Sequence, residues 1–460
     1  MIYVNDNCHS STELVLDRTK VTYPSYTKAI DVKESIRVTL ADYFSEGNRK
    51  ILPLFTDDEK NDYKNALNEL VIETTRRDGK CYVETGNYLG KFHYQEMDIN
   101  IQSRFSDALI KRMLNFANDI YLGDVDTFSD KSKTEDFTKF ILYYLFVQSL
   151  EKAYLLGLPK GYQSVNHHEM RVKGRFDIQR HIKQDIPFLG KISSVSREMC
   201  DVQEIIDVLY KAVSLIENDS KQLTNNISHI KPHLIEHRSR KFVSKNVIEA
   251  AKSSKALKSP IYSQYKKVLR YAEYIIQLNS TQETENLNAD LNFSFLINVA
   301  ELFEIYISKL LQQAFPEWSV ESPKIELYNS KFYERKIIPD IVMERGNDVL
   351  VFDTKYKTMK FQGRNKYGMG DLDRSDFFQI NTYMSYYEQQ NKNLICGGLL
   401  YPLSEVFDEQ KCHALHWLSP DRDRTKFIVD GLELLGNGDN YIKAEEAFIN
   451  RIKQYMKESL

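Results

Sequence analysis

An apolar segment that ends abruptly in charged residues is the feature that most constrains this chain. Val349–Phe352 is followed directly by Asp353, Thr354 and Lys355. Because side chains alternate across a strand, Asp353 and Lys355 point to one face and Thr354 to the other. Asp340 lies thirteen residues before Asp353 and follows another short apolar segment. A hairpin between the two segments would bring the carboxylates of Asp340 and Asp353 together.

Two carboxylates beside a lysine suit a particular chemistry. Carboxylate oxygens are the ligands that Mg²⁺ prefers, with Mn²⁺ as a second candidate, and the ammonium group adds a fixed positive charge. A metal-activated water at such a site can hydrolyse a phosphodiester. Each residue alone has an ordinary explanation, since Pro-Asp is common in turns and charged side chains at strand ends reach water. The combination is more specific than any of its parts.

Two glutamates on a predicted helix are candidates for a third ligand. The apolar spacing of residues 293–314 predicts one long helix, on which Glu301 and Glu304 lie three residues apart and share a face. A carboxylate on a mostly buried helix needs a partner, because an unpaired buried charge is unfavourable. Glu304 is the first choice for a metal or water ligand and Glu301 the second. The alternative for each is a solvated carboxylate or one paired with a lysine.

A second predicted helix, residues 377–389, follows the charged cluster in the sequence. Gln379 and Tyr383 are four residues apart and therefore lie on one face of this helix. Gln379 is placed to orient Lys355 or the attacking water, and Tyr383 to contact a DNA backbone. The alternative is an ordinary amphipathic helix. Residues 396–401 are typical of the next strand, which favours a sheet packed against this helix.

The length of 460 residues and the order of the patterns predict a multidomain α/β protein. Short β-like runs predict an N-terminal β-rich domain over residues 1–110, which is a candidate partner-contact region. Helical spacing predicts a mostly helical middle region over residues 111–290, and residues 291–460 form the predicted α/β domain that carries the site. The individual predictions are strands at 80–84 and 97–101, helices at 105–120, 137–155, 200–217 and 260–278, and an exposed connector at 280–292.

Composition and missing motifs exclude several classes of protein. The net charge of −3 weakly disfavours a polyanion ligand and leaves room for local basic surfaces. No GxxxxGK[ST] phosphate loop is present, so we do not expect this chain to hydrolyse nucleotides itself. The motifs GxSxG and HExxH are also absent. His167, His168 and Glu169 form the one dense histidine cluster and predict a surface turn rather than a ligand set. The sequence shows no signal peptide and no run of about 18 apolar residues, so we expect a cytoplasmic protein without a membrane span.

Four segments together resemble the PD-(D/E)xK nuclease superfamily, and within it McrC, the nuclease subunit of McrBC-type modification-dependent restriction systems. These segments are Leu302–Glu304, Pro339–Val342, Phe352–Lys357 and Asp376–Tyr383. A fainter likeness lies upstream, in residues 90–101 and 172–177. The resemblance covers about residues 80–460, and it implies a restriction-endonuclease-like α/β fold for residues 291–460.

This resemblance implies a Mg²⁺-dependent DNA endonuclease. Asp340, Asp353 and Glu304 are the implied metal ligands, and Lys355 and Gln379 complete the catalytic set. The implied partners are double-stranded DNA with a modification of the 5-methylcytosine type and an AAA+ GTPase or ATPase hexamer, whose hydrolysis the chain stimulates. The chain is also a candidate for self-association across two such motor complexes. The alternative is a non-cleaving assembly and activator subunit whose nuclease site is vestigial.

Overall fold

A computed structural model gives the positions of most of the chain. The described residues are 2–7, 12–13, 36–45, 49–51, 67–77, 80–94, 97–117, 137–188, 190–283, 294–329, 334–357, 359, 373–404, 406–407, 413–414, 417–418, 425–434 and 440–458. The chain divides into two compact units. The first unit comprises Met1–Thr138 and Ser294–Leu460, and the second comprises Lys139–Phe293. The boundaries near residues 110 and 290 that the sequence suggests stay predictions.

The first unit begins with a β-rich portion. Its elements are β1 (Ile2–Asn5), β2 (Thr12–Glu13), β3 (Ile36–Thr39), α1 (Leu40–Ser45), β4 (Arg49–Ile51), β5 (Leu70–Arg77), β6 (Lys80–Thr85), β7 (Tyr88–Tyr94), β8 (Met97–Gln102) and α2 (Asp107–Ala117). The strands β2, β6, β5 and β3 form one sheet in that order. The predicted strands at 80–84 and 97–101 are therefore confirmed. The helix predicted at 105–120 is confirmed within Asp107–Ala117, and its last three residues lie outside the described ranges.

Helices dominate the second unit. Its elements are α3 (Phe137–Tyr154), β9 (Lys160–Glu169), β10 (Arg175–Phe176), α4 (Ile178–Gln184), β11 (Ile192–Asp201), α5 (Gln203–Asp219), α6 (Lys231–His237), α7 (Lys245–Lys252) and α8 (Tyr265–Glu283), with 3-10 helices at Lys221–Ile227, Lys255–Lys258 and Pro260–Tyr262. The helices predicted at 137–155 and 200–217 are confirmed as α3 and α5. The helix predicted at 260–278 starts later and continues into the predicted connector.

The surface turn predicted for the histidine cluster of the second unit is wrong. His167, His168 and Glu169 lie in β9, which pairs antiparallel with β11, and do not form a surface turn. The strand is stabilised by polar contacts: His168 contacts the Asp185 carboxylate, which also accepts hydrogen bonds from His181 Nδ1 (2.7 Å) and Ser193 Oγ (2.8 Å). A cluster of polar residues is typical of a turn, and the partners that keep this one in a strand lie outside the local sequence.

The remaining elements complete the first unit. They are β12 (Ser294–Asn298), α9 (Val299–Ala314), β13 (Ser319–Glu321), β14 (Ile325–Asn329), β15 (Glu334–Ile337), β16 (Ile341–Arg345), β17 (Asp348–Thr354), α10 (Arg374–Gln389), β18 (Asn393–Leu403), β19 (His413–Ala414), β20 (Lys426–Glu433) and α11 (Asn440–Glu458). Within the ranges described, no helix combines the length and the apolar character needed to cross a membrane.

The single helix predicted for residues 293–314 is wrong at its start. β12 occupies Ser294–Asn298 and lies between β7 and β4 in a five-stranded sheet of order β1-β8-β7-β12-β4. Asn298 then begins α9, because its Oδ1 accepts hydrogen bonds from the backbone N–H groups of Ala300 (3.1 Å) and Glu301 (3.3 Å). A short apolar run is compatible with helix or strand, and two neighbouring strands that need a partner decide between them.

A six-stranded sheet of order β13-β16-β17-β18-β20-β19 carries the charged cluster. β16 and β17 form the expected antiparallel hairpin, while β17, β18 and β20 run parallel. Gly346 has φ 63° at the first of the two turn positions between Arg345 and Asp348, a position that type II′ hairpin turns give to glycine. α10 packs on β17 and β18, and α11 packs on β18 and β20. The sheet is therefore buried between helices, and the mixed α/β class is confirmed.

Candidate active site

The hairpin places Asp340 next to the end of β17. Ile341, the first residue of β16, pairs with Phe352. Asp340 precedes Ile341 and therefore lies alongside Asp353, which follows Phe352. Asp340 Oδ2 accepts hydrogen bonds from the backbone N–H of Thr354 (2.8 Å) and from Thr354 Oγ1 (2.9 Å). The structure thus brings the two predicted carboxylates together. It also gives Thr354 a role in fixing Asp340 that the sequence analysis missed.

Asp353 is the carboxylate of the cluster whose charged form its surroundings disfavour. Its side chain is 0% exposed, and its Oδ2 lies 2.6 Å from Lys355 Nζ. Its Oδ1 accepts no hydrogen bond from the part of the chain that is described. Burial first, and the negative charge of Asp340 second, raise the pKa of Asp353 to about 7. The carboxylate is therefore poised to gain from any cation that approaches it.

Lys355 is held from several sides. Its Nζ lies beside Asp353 and donates a hydrogen bond to Gln379 Oε1 at 3.0 Å. Burial alone would lower the pKa of Lys355, but the charge of Asp353 and the charges of Asp340 and Asp376 outweigh it and raise the pKa. The ammonium group therefore stays charged at neutral pH, with a fixed position.

Gln379 and Tyr383 lie on one face of α10, as the four-residue spacing indicates. Gln379 Nε2 donates a hydrogen bond to the Tyr383 hydroxyl at 2.7 Å. Gln379 thus bridges Lys355 and Tyr383, with its amide oriented by a partner at each end. Tyr383 is only 5% exposed. This burial favours support of Gln379 over direct contact between Tyr383 and a DNA backbone.

Asp376 is a further neighbour of the site, and the helix predicted at residues 377–389 leaves it out. α10 begins at Arg374, earlier than predicted, so Asp376 lies in the first helical turn and is 4% exposed. Its carboxylate accepts hydrogen bonds from Lys357 Nζ at 2.9 and 3.1 Å, and its Oδ1 lies 3.8 Å from Lys355 Nζ. The available signal was the spacing of three residues between Asp376 and Gln379, which places them on one face.

The residue after Lys355 is anchored by the N-terminal portion of the first unit. Asn7 Nδ2 donates a hydrogen bond to the Tyr356 carbonyl at 2.5 Å, and the Arg104 guanidinium lies 4.5 Å from the centre of the Tyr356 ring. Phe303 of α9 also contacts that ring, at 5.8 Å between centroids. No local pattern in the sequence predicts this anchor, because its parts are about 50 to 350 residues from Tyr356 along the chain.

The two candidate glutamates lie at the start of α9. Glu301 is in the first helical turn, and both Glu301 and Glu304 are partly buried beside core residues such as Leu302 and Phe303. Among the described residues, no three His, Cys, Asp or Glu side chains lie close enough together to form a metal-ligand group. The assignment of Glu304, or of Glu301, as a metal ligand stays a prediction.

The site nevertheless fits a hard divalent cation. Asp340 and Asp353 repel each other electrostatically, and one oxygen of the buried Asp353 carboxylate has no hydrogen-bond donor among the described residues. A cation between them would remove the repulsion and satisfy that oxygen. Mg²⁺ is commonly held by one or two carboxylates and takes waters and substrate phosphates as its other ligands. Two aspartates are therefore enough protein ligands for this ion.

Fold and site together define a mixed α/β protein with two aspartates and a lysine at a strand end. The sequence matches the family model of the McrBC 5-methylcytosine restriction system component over residues 83–402. The chain belongs to this family, so the resemblance to McrC-type proteins of McrBC systems is confirmed. No curated protein matches the sequence.

Two solved structures are similar to the chain. One is a half-complex from a tetradecameric assembly of Thermococcus gammatolerans McrB AAA+ hexamers with bound McrC; it shares 15% identity, with 92% of this chain and 98% of that chain covered and a TM-score of 0.51. The other is the Thermococcus gammatolerans McrBC complex, with 15% identity, 57% of this chain and 76% of that chain covered, and a TM-score of 0.34. The first likeness supports a shared fold.

Proposed function

We propose that this chain is the Mg²⁺-dependent DNA endonuclease subunit of an McrBC-type, modification-dependent restriction system. The observation that carries the proposal is the buried Asp353, which lies beside Asp340 and 2.6 Å from Lys355 at the end of β17. A structural role does not explain it, because the arrangement leaves a carboxylate oxygen without a described donor and two like charges together. A metal-dependent hydrolase needs such an arrangement.

Each side chain has a definite part in the proposed reaction. Asp340 and Asp353 hold Mg²⁺, with Glu304 as a further candidate ligand. Bound Mg²⁺ supplies polarisation of the scissile phosphate and a water of lowered pKa. Lys355 stabilises the negative charge that develops on the phosphate, a contribution of about 3 kcal/mol for one well-placed donor. Gln379 fixes the Lys355 ammonium through the hydrogen bond at 3.0 Å.

The fold of the catalytic portion supports a PD-(D/E)xK nuclease. A helix, a hairpin that carries the two aspartates, a second helix and a parallel strand follow one another as α9, β16, β17, α10 and β18. In the Gln-x-x-x-Tyr pair of α10, Gln379 accepts a hydrogen bond from the lysine and donates one to Tyr383. We infer that this portion is the restriction-endonuclease-like domain that the motifs imply.

An AAA+ partner is also part of the proposal. The solved half-complex contains McrB AAA+ hexamers with bound McrC, and this chain has no phosphate loop of its own. We propose that an AAA+ GTPase or ATPase hexamer binds this chain, delivers DNA with 5-methylcytosine-type modification and has its nucleotide hydrolysis stimulated in return. Cleavage is then expected only when the partner, its nucleotide and Mg²⁺ are all present.

The test is DNA cleavage with Mg²⁺, with and without the AAA+ partner and its nucleotide, for wild type, Asp353→Ala and Lys355→Ala. We expect cleavage only by the wild-type chain with its partner. Stimulation of nucleotide hydrolysis should survive in both variants, because the substitutions change only the nuclease site. If wild type fails to cleave while it still stimulates hydrolysis, the endonuclease proposal is wrong and the chain is an assembly and activator subunit.

A further inference from the structure

A strongly basic segment lies in the second unit. Between Arg238 and Arg270 the chain has ten Lys and Arg residues and a single acidic residue, Glu249, so the segment has a formal charge of +9. The formal net charge of the 460 residues is −3, so all residues outside this segment together have a formal charge of −12. Positive charge gathered in one segment of an otherwise acidic chain creates a local potential that the net charge conceals.

Part of this charge serves the second unit itself. Lys252 forms ion pairs with Glu273 (3.0 Å) and Glu249 (3.3 Å). The Arg238 guanidinium lies 4.0 Å from the centre of the Tyr210 ring. Six other basic residues are exposed and form no ion pair with any described carboxylate. These six, which we call the basic face, are Arg240, Lys241, Lys245, Lys255, Lys258 and Lys266.

The local structure directs the basic face outward. Arg240 and Lys241 lie in the connection before α7, and Lys245 is the first residue of α7. Lys255 and Lys258 lie on the next 3-10 helix, and Lys266 lies at the start of α8. Lys255 and Lys258 are three residues apart and share one side of a 3-10 helix, which has three residues per turn, while Leu257 between them is buried. On α7 the buried residues are Ile248 and Ala251. The apolar side chains thus fix these elements to the unit, and the cationic ones are left in water.

The composition of the segment favours a phosphate backbone over a protein partner. Protein interfaces have an apolar centre in which lysine is depleted, whereas here lysines alternate with six serines, whose hydroxyls can donate to phosphate oxygens. The only large apolar side chains of the segment that are exposed are Phe242 and Ile261. The concentration of exposed apolar residues in this unit lies elsewhere, between Met170 and Phe188.

We propose that the basic face binds the phosphate backbone of double-stranded DNA without regard to sequence. The inference rests on the proposed function in that DNA is the substrate, and it adds a contact for the substrate in the unit that does not carry Asp340 and Asp353. A chain with net charge −3 repels DNA at long range. A local cationic surface can nevertheless bind the DNA phosphates electrostatically. The backbone contacts position the duplex and leave the reading of bases to another component.

Binding of a fluorescent DNA duplex of about 30 base pairs, at 50 to 200 mM salt with EDTA, tests the proposal on the full chain. We compare wild type with the triple variant Lys245→Ala, Lys255→Ala and Lys258→Ala. The affinity should fall at least about tenfold at the lowest salt, and the slope of log K against log salt should decrease by about 2.7, at roughly 0.9 per lost phosphate contact. The matching Lys→Arg triple variant should bind like wild type.

The control variant removes three exposed lysines elsewhere in the same unit: Lys183→Ala, Lys191→Ala and Lys221→Ala. Its salt slope should stay close to that of wild type. An unchanged slope for the basic-face variant, an equal loss for the control, or no binding of DNA by wild type would overturn the proposal. Loss of partner stimulation with intact DNA binding would show a protein-docking face instead. EDTA prevents cleavage during the binding measurement, so the two proposals are tested separately. If the chain binds DNA in EDTA but does not cleave it with Mg²⁺ and the partner, this inference is supported and only the nuclease proposal is contradicted.

Discussion

Two aspartates on the same sheet show how differently a buried carboxylate can be treated. Asp353 of β17 and Asp430 of β20 both have side chains that are 0% exposed, and only β18 separates their strands. Burial raises the pKa of both carboxyl groups. Their surroundings, however, are opposite in kind, and the contrast distinguishes a carboxylate with structural partners from the one that we propose to be functional.

Donors surround the Asp430 carboxylate. It accepts hydrogen bonds from Arg451 Nε (3.0 and 3.1 Å) and Nη2 (2.9 Å), from the backbone N–H of Gly431 (2.6 Å) and from the Tyr455 hydroxyl (3.1 Å). Asp353 has a lysine on one oxygen and a like-charged neighbour, Asp340. A fully satisfied carboxylate stabilises the fold, whereas a frustrated one persists only where the surrounding structure enforces it. The unsatisfied carboxylate is therefore the one that we propose to bind a cation.

The largest expected effect is that of Asp353→Asn on cleavage. The amide cannot hold Mg²⁺ as a carboxylate does, so the cleavage rate should fall by at least about a thousandfold. The melting temperature without metal at pH 8 should stay the same or rise, because the substitution removes a buried charge that its surroundings disfavour. Cleavage in the presence of the AAA+ partner and thermal denaturation in EDTA check the two halves. A variant that still cleaves DNA and has a lower melting temperature than wild type would contradict a functional role for Asp353.

The matched substitution Asp430→Asn should have the opposite profile. It leaves Arg451 largely buried beside an amide that offers fewer acceptors, and breaking a buried pair in this way typically destabilises a protein by about 3–5 kcal/mol. Cleavage per folded molecule should change no more than about threefold, because Asp430 does not contact the site residues. Urea denaturation and cleavage below the melting temperature provide the measurements. Equal stability of wild type and variant would break the comparison.

The sequence alone predicts part of the candidate site. An aspartate and a lysine that end an apolar strand, and a second aspartate at hairpin distance, predicted the approach of Asp340, Asp353 and Lys355. The spacing on α10 predicted the face that carries Gln379. These features depend on strand alternation and helical periodicity, which are properties of neighbouring residues.

Long-range contacts determine the rest and could not be predicted. The apolar spacing predicts helix for Ser294–Asn298, which is a strand, because the sheet partners that select a strand lie more than 200 residues earlier. The anchor of Tyr356 by Asn7 depends on residues that are remote in the sequence. Likewise, nothing local distinguishes Asp430, whose partner Arg451 comes from the next helix, from any other aspartate in an apolar strand.

The pH dependence of stability sharpens the comparison. The folded-state pKa of Asp353 is raised to about 7, so this group favours the folded state fully below about pH 4 and progressively less as pH rises through 7. The difference in melting temperature between Asp353→Asn and wild type, measured in EDTA from pH 5 to 9, should therefore grow with pH and level off above about 8. Mg²⁺ should reduce it, because the ion stabilises the charged carboxylate. Parallel curves for the two proteins would mean that Asp353 is not frustrated.

The smallest predicted effect concerns the support of Lys355. Gln379→Ala removes the acceptor at 3.0 Å from Lys355 Nζ, and the loss of one hydrogen bond to a charged group corresponds to about 1.5 kcal/mol, or roughly tenfold in the single-turnover rate. Tyr383→Phe keeps that acceptor and removes only the partner of Gln379 Nε2, so its effect should be smaller, about twofold to threefold. Both variants should retain DNA binding and partner stimulation, since neither residue holds the metal. An effect of Tyr383→Phe larger than that of Gln379→Ala would place the hydroxyl, and not the amide, in contact with the reacting groups.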